Sequence, residues 1–343
     1  MKIDHINGLI IRQLLGDSRK SFTEIAKKVG ITSTAVRNRY LNLKKLGVIV
    51  GSTILVNPRA LGYNCYGFLG IKANQKKINE VKDFLIKQQG ILFTWDKIQE
   101  INIGNYFALH SLEDFSEITE KLRKNSYIIE IQQLIYLGSP FTQHPDKLMI
   151  KSEKEINEND LIKKKTSNMD NLNQEINKKK NLETPDLFKL DKIDYDIMRI
   201  LSKNSRSSFN GIAKRLNVST VQVINRYEKL KESKVIINSS ILIDPQKIGY
   251  TANAMFYISL EIGADTNKVF NKIRTISNVI ILVGVIGDCN IFGTIAIKDF
   301  QELFEAEKQI RTMKEIKKVK INVNPPFSIW PMNFFAPILE ANQ

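Results

Sequence analysis

The residues best equipped for chemistry are few. Two cysteines, Cys65 and Cys289, and three histidines, His5, His110 and His144, fall in no CxxC or HxxxH spacing. Neither a metal centre nor a disulfide framework is therefore expected, and two thiols suit a reducing, cytoplasmic setting. A lone histidine is more often a filler than a ligand. What the sequence does concentrate is recognition chemistry. From Thr32 a helical run places Val36, Tyr40, Leu43 and Leu46 on one stripe and leaves Arg37, Asn38, Arg39 and Asn42 off it. Arg can fork onto guanine and Asn or Gln onto adenine, each good pair giving about 1–3 kcal/mol of discrimination. Just before, Ile25, Ala26 and Val29 repeat at helical spacing and Gly30 breaks the period. Two helices joined at a Gly corner, the second with one packed and one free face, are the pattern of a helix-turn-helix.

The charge sits where that pattern needs it. The 343 residues carry a formal net charge of +15, which calls for a polyanionic partner. Residues 1–63 hold 11 Lys/Arg against 3 Asp/Glu, and residues 191–250 hold 11 against 6, so 13 of the net +15 lies in these two stretches. That concentration favours nucleic acid over a generic basic surface or a membrane. No apolar run approaches the ~20 residues of a membrane span, and no signal peptide is expected.

Those two stretches are copies. A shift of 187 residues aligns 4–63 with 191–250 without a gap, and 26 of the 60 positions are identical. Ser18-Arg19 meets Ser205-Arg206, Ile25-Ala26-Lys27 meets Ile212-Ala213-Lys214, and Asn38-Arg39-Tyr40 meets Asn225-Arg226-Tyr227. A period this long means duplicated domains and not a solenoid. Each copy opens with an amphipathic helix, Ile6–Leu15 or Ile193–Leu201. Ser219 and Gln222 have capping-box spacing at the start of the second reading helix, where the first copy has Thr32 as its cap. The β-branched runs Val48–Val56 and Val235–Ile243 predict a short hairpin or a linking strand.

A β-α-β-β-α-β rhythm follows in each copy. In the first it comprises Tyr66–Ala73, Lys76–Gln88, Ile91–Ile98, Ile101–His110, Leu112–Lys124 and Ile128–Tyr136. In the second it comprises Ala254–Ile262, Thr266–Ile276, Val279–Ile286, Ile291–Ile297, Phe300–Met313 and Lys317–Asn324. This is a ferredoxin-like arrangement, whose open sheet face tends to pair with a second sheet. The expected fold class is thus α+β, two copies of a (winged) helix-turn-helix domain followed by a ferredoxin-like domain. Boundaries fall at 1–63, 64–144, 191–250 and 251–343. Residues 145–190, dominated by Lys, Glu and Asn, read as a charged flexible linker that would span on the order of 35 Å. The aromatic tail Phe327–Phe335 is expected to cover its own sheet, with packing across the copies or an oligomer contact as alternatives.

The D-x-I-x-x-x-I-x-R-x-L run, the S-R-x-S corner, the I-A-K helix and the P-x-x-x-G-Y closing element resemble the Lrp/AsnC, or feast/famine, family of transcriptional regulators. The βαββαβ half resembles that family's ligand-sensing RAM domain. Family members usually carry one copy and pair two chains, whereas here one chain looks like a covalent pseudo-dimer. The resemblance implies a DNA-binding regulator with no catalytic activity and no cofactor, assembling as a homo-oligomer. It implies Ser33, Thr34, Arg37, Asn38 and Asn42 as groove-facing residues of the first copy, and Thr220, Gln222, Asn225 and Lys229 in the second. Arg39 and Arg226 either hold phosphates or buttress the fold. Gly287-Asp288-Cys289-Asn290 resembles the family's Gly-x-x-Asp turn, which borders a pocket for amino-acid-like effectors, although Asn290 stands where Asp is usual. Gly104-Asn105-Tyr106 is the poorer counterpart in the first copy, and an ordinary tight turn is the alternative. Two other functions share this architecture or charge: a haem-pathway (sirohaem) decarboxylase, and a non-specific architectural nucleoid protein.

Overall fold

The computed structural model describes residues 3–97, 100–142 and 189–341. The expected linker lies outside the described residues save for its last two, and so does His144. The first copy contains α1 (His5–Gly16), α2 (Phe22–Val29), α3 (Ser33–Lys45), β1 (Ile49–Val56), β2 (Cys65–Ala73), α4 (Ile78–Ile86), β3 (Ile91–Asp96), β4 (Ile103–Leu109), α5 (Leu112–Arg123), β5 (Ile128–Tyr136) and β6 (Phe141–Thr142). The second contains α6 (Lys192–Lys203), α7 (Phe209–Leu216), α8 (Thr220–Glu232), β7 (Ile236–Ile243), β8 (Ala252–Leu260), α9 (Thr266–Arg274), β9 (Val279–Gly287), β10 (Ile291–Ile297), α10 (Phe300–Arg311), β11 (Ile316–Asn324) and a closing turn, α11 (Ile338–Ala341).

Local chemistry sets the helix ends. Ser21 and Glu24 form a reciprocal capping box on α2, and the Thr32 hydroxyl accepts from the Ala35 amide (3.2 Å) to start α3. Of the box expected at Ser219 the structure shows one half, the Ser219 hydroxyl accepting from the Gln222 amide (3.1 Å). Helix α2 stops at Gly30, whose φ of 77° lies in the left-handed region that closes helices. Its counterpart Asn217 takes φ 55°, a conformation Asn tolerates.

The two copies are interwoven. Strands β1 and β7 are each a single linking strand and not a hairpin. They pair antiparallel with one another, from Ile49 opposite Ile243 to Val56 opposite Ile236. The wing expected within each copy is therefore replaced by a ribbon shared between them. Helix α1 rests on β7, and α6 rests on β1. The core of the first reader, Ile10, Leu14, Ile25, Val36 and Leu43, is completed by Ile241, Ile243 and Trp330 of the second copy. The second reader's Ile197, Val223 and Leu230 close in turn on Ile54 and Val56 of the first. Burying one such side chain is worth about 1.5–3 kcal/mol, so neither reader has a complete core alone.

Each ferredoxin-like half orders its strands as expected, β5-β2-β4-β3 and β11-β8-β10-β9. The halves join edge to edge where Leu134, Ile135 and Tyr136 of β5 pair with Gly287, Ile286 and Val285 of β9. Their open faces also cover one another. The Phe68 and Phe292 rings stack across the seam with centroids 5.8 Å apart and planes within 13°.

The aromatic tail does not stay on its own sheet. Trp330 exchanges two backbone hydrogen bonds of 2.8 Å with Ile243 of β7. Asn333 then reaches β1, Phe334 lies on Tyr106 (4.1 Å) and Phe335 on Tyr66 (5.4 Å), all of the first copy. A strand end cannot cover its own sheet face when the other copy's sheet already occupies it, so the tail runs across both. Among the described residues no helix is long and apolar enough to cross a membrane, and no cluster of three His, Cys, Asp or Glu could hold a metal.

Candidate nucleic-acid interface

Helices α3 and α8 present their free faces as the periodicity requires, except that Leu46, expected on the packed stripe, caps the end of α3 and is 43% exposed. Val36, Tyr40 and Leu43 are buried, as are Val223, Tyr227 and Leu230. Ser33, Thr34, Arg37, Asn38 and Asn42 are exposed in α3, and Asn225 and Lys229 in α8. Thr220 and Gln222 are half-buried, nearer the packed side than expected. Exposed Lys27, Lys28, Lys44 and Lys45 surround the first reading helix, with Lys214 and Arg215 beside the second. Lys and Arg side chains of this kind suit phosphates, while Arg37, Asn38 and Asn225 carry groups complementary to base edges.

Arg39 and Arg226 take the buttressing role. Arg39 Nη1 donates to Asp4 Oδ2 (2.7 Å) and Asn7 Oδ1 (3.1 Å), pinning α3 to the N-terminus of α1. Arg226 Nη1 donates to Asp191 and Asp194 (both 2.8 Å). Burial works against ionisation of Asp191, but the Asp194 amide and the Arg226 guanidinium outweigh it and hold the carboxyl below the usual carboxylate range. Both arginines are thus drawn away from the groove-facing set.

The S-R-x-S corner carries a function that the residue types alone did not reveal. Ser18 Oγ and Ser205 Oγ, 187 residues apart, meet at 2.6 Å in the buried centre between the readers. Arg19 crosses into the second reader, where Nη1 donates to the Ser205 carbonyl and to the Ser207 carbonyl (2.9 Å) and the guanidinium lies 3.9 Å above the Phe209 ring. Arg206 crosses the other way to the Ser18 carbonyl and lies over Phe22 (4.9 Å). Carbonyls and aromatic faces are both natural partners for a guanidinium. The available signal was the identity of this corner in both copies, since exposed polar corners are free to vary.

The proposed effector turn is engaged in holding the halves together. Asp288 Oδ2 accepts from the Gln133 amide (3.2 Å) of the first copy, and Asn290 Oδ1 accepts from the Leu260 amide (2.8 Å). A Cβ on Gly287, whose φ is 136°, would lie 1.9 Å from the Gln133 carbonyl oxygen. Gly104 is in no turn at all. It sits within β4, where a Cβ would meet the Trp95 ring at 2.5 Å, so its missing side chain makes room for an indole. Gly287, Asp288, Asn290 and Gly104 therefore serve strand pairing and packing in this chain. A partly open cavity under the tail, bordered by Tyr250, Asn253 and Trp330, has about 10 Å³ of free volume, room for about one water, and a more open cleft bordered by Arg123, Glu130 and Gln133 has about 270 Å³.

A family model of the AsnC-type helix-turn-helix domain matches residues 3–44 and again 190–231. An HTH-type transcriptional regulator of Pyrococcus furiosus is 33% identical over 122 residues, which is 36% of this chain and 82% of that protein. The chain belongs to the Lrp/AsnC family of transcriptional regulators. The HTH-type transcriptional regulator Ptr1 of Methanocaldococcus jannaschii is 38% identical over 121 residues, 35% of this Lrp/AsnC-family chain and 82% of Ptr1. The tandem organisation also has a structural counterpart. The siroheme decarboxylase NirDL superposes with a TM-score of 0.60 over 98% of both chains at 16% identity, a likeness of fold.

Proposed function

We propose that one chain acts as a covalent pseudo-dimer that binds double-stranded DNA in a sequence-specific way, α3 and α8 each entering a major groove. The observation that carries this reading is the crossed corner. Ser18, Arg19, Ser205 and Arg206, with the β1–β7 ribbon, fix the two exposed helices relative to one another inside a single polypeptide. Two readers in one fixed relation match two half-sites at a set spacing. Because the readers differ in sequence, the operator is imperfectly palindromic. Footprinting of the full chain tests this: one chain per operator should protect two unequal half-sites. With about six phosphates neutralised, affinity should fall by roughly three orders of magnitude between 50 and 200 mM salt. Equal competition by random duplex would instead support an architectural role.

The fold shared with NirDL favours a second reading, a tetrapyrrole decarboxylase. Such an enzyme needs basic and histidine groups around a pocket. His5 is exposed at the start of α1, and His110 is exposed and stacked on Tyr63 (4.4 Å) with Nδ1 at the Gly62 carbonyl (3.0 Å). Absence of a Soret shift and of carbon dioxide release on mixing with an iron porphyrinoid carboxylate would remove this reading.

A further inference from the structure

The two reading helices share their buried faces and differ on their exposed ones. Val36, Tyr40 and Leu43 occupy the same places as Val223, Tyr227 and Leu230, and each helix has 13 residues with a hydroxyl cap. Residues 187 apart therefore hold equivalent positions toward the groove. At those positions Thr34 and Arg37 of α3 are replaced by Val221 and Ile224 of α8. Val221 is 64% exposed and Ile224 38%, one turn apart, with exposed Asn225 and Lys229 alongside. The second reader's own core is already filled by Val223, Tyr227 and Leu230, so this aliphatic pair has no inward role.

Among the groups displayed in a major groove, the thymine C5-methyl is the one that an aliphatic side chain complements. We infer that Val221 and Ile224 make the second half-site a thymine-methyl reader, whereas Arg37 makes the first a guanine reader at the equivalent place. This rests on the DNA-binding reading above and names which bases each half accepts. The two half-sites then differ in kind: the first is fixed by a forked hydrogen bond, the second by apolar contact. Glu228, one turn beyond Ile224, has its carboxylate 3.8 Å from Lys231.

The test uses the full chain and an operator selected from random duplexes. Replacing thymine by deoxyuridine, one position at a time, deletes the methyl and leaves every hydrogen-bonding edge in place. Burial of one methyl predicts a loss of about fourfold in affinity at one or two positions of the second half-site, and none in the first half-site opposite Arg37. Ile224→Arg should abolish that sensitivity and shift the preferred base at that place to guanine. Ile224→Ala should reduce the deoxyuridine effect while leaving the fold intact, the residue being exposed. Tight, selective binding that is indifferent to deoxyuridine throughout the second half-site would overturn the inference and leave the regulator reading standing. Failure to bind any duplex would overturn both.

Discussion

Ser18 and Ser205 share one hydrogen bond, Oγ to Oγ at 2.6 Å, although 187 residues separate them. Their surroundings mirror one another. The Ser18 amide donates to the Ser239 carbonyl (3.0 Å) and the Ser205 amide to the Ser52 carbonyl (3.4 Å), each serine thereby joined to the other copy's linking strand. The pair lies where the two copies exchange equivalent contacts, at the centre of the crossed arginines and the β1–β7 ribbon. The first copy's reader and the second copy's reader are in consequence two halves of one object.

Double-mutant analysis should reveal that unity. Ser18→Ala alone leaves the Ser205 hydroxyl buried without its partner, at a cost of about 1–2 kcal/mol, and Ser205→Ala does the same to Ser18. Removing both hydroxyls abolishes the orphan, so the double variant should fall short of the sum of the singles by about 0.5–1.5 kcal/mol. Denaturant midpoints of the four proteins give the coupling. Strict additivity would mean that the two corners do not meet in solution.

The two buttressing arginines should differ in weight. Asp4 is half-exposed, and its bond to Arg39 is a surface ion pair, so Arg39→Ala should cost about 0.5–1 kcal/mol. Asp194 is buried (5% side-chain exposure), and Arg226 is the cation that compensates it. Arg226→Ala should cost about 3 kcal/mol, since a buried carboxylate is then left without its partner. Arg226→Ala combined with Asp194→Asn should recover part of the loss. Urea titration of each variant separates these outcomes, and equal losses for the two arginines would count against the argument.

Much of this fold is legible in the sequence for identifiable reasons. Helix ends carry their own chemistry at Ser21, Thr32, Gly30 and Asn217, and the β-α-β-β-α-β rhythm is written in hydrophobic periods. Partner choice over long sequence separations is not written in this way. Ile49–Val56 and Ile236–Ile243 carry apolar residues on both sides with hydroxyl residues at Ser52, Thr53, Ser239 and Ser240 between them, so their pattern marks strands without saying that each pairs with the other. Gly104 shows how a motif misleads: Gly-Asn-Tyr reads as a turn, yet Trp95 needs the vacant Cβ position and the strand runs straight through. At Asp288 the residue types did not show that one carboxylate oxygen accepts from a strand edge supplied by the other copy. The exposed face of α3 was readable because a helix surface depends only on local period. The direction in which Arg19 points was not, since it depends on where the second reader sits.

Lys97 should impart a distinctive pH dependence. It is 5% exposed between the two sheets, with Nζ donating to Tyr257 Oη (3.2 Å) and lying 5.1 Å above the Phe68 ring. Burial, assisted by the nearby Lys320 ammonium, lowers its pKa to about 8 from an ordinary 10.5. Between those values the unfolded chain binds the proton that the folded chain has released, so stability rises with pH across that window. Below about pH 8 the folded protein carries a buried ammonium, and Lys97→Met should stabilise it there by roughly 2–3 kcal/mol. The variant's advantage should shrink as pH climbs toward 10.5. Urea midpoints at pH 7 and 10 for both proteins measure the difference. A Met variant less stable at pH 7 would show that the amine contributes more through its Tyr257 bond than burial costs it.

The tail offers the sharpest test of whether the two copies are one cooperative structure. Asn333 Nδ2 donates to Thr53 Oγ1 (2.8 Å) and to the Ile54 carbonyl (2.7 Å) in β1, 280 and 279 residues earlier in the chain. Further along, the Leu339 carbonyl accepts from Arg199 Nε (2.7 Å), and Glu340 pairs with Lys203 (2.9 Å), so the same segment also ends on α6. Asn333→Ala removes one donor shared by two partly covered acceptors and should cost about 1–2 kcal/mol. The location of the effect is more telling than its size. A tail that merely caps its own sheet would, when loosened, raise amide exchange only in residues 325–341 and β8. A tail that bridges the copies should also release protection in β1 and in the β7 amides that face it, because the ribbon loses its cover along one side. Hydrogen exchange followed by mass spectrometry resolves these segments. Faster exchange in β1 is expected, and exchange confined to the tail would show that the first copy does not depend on the end of the second.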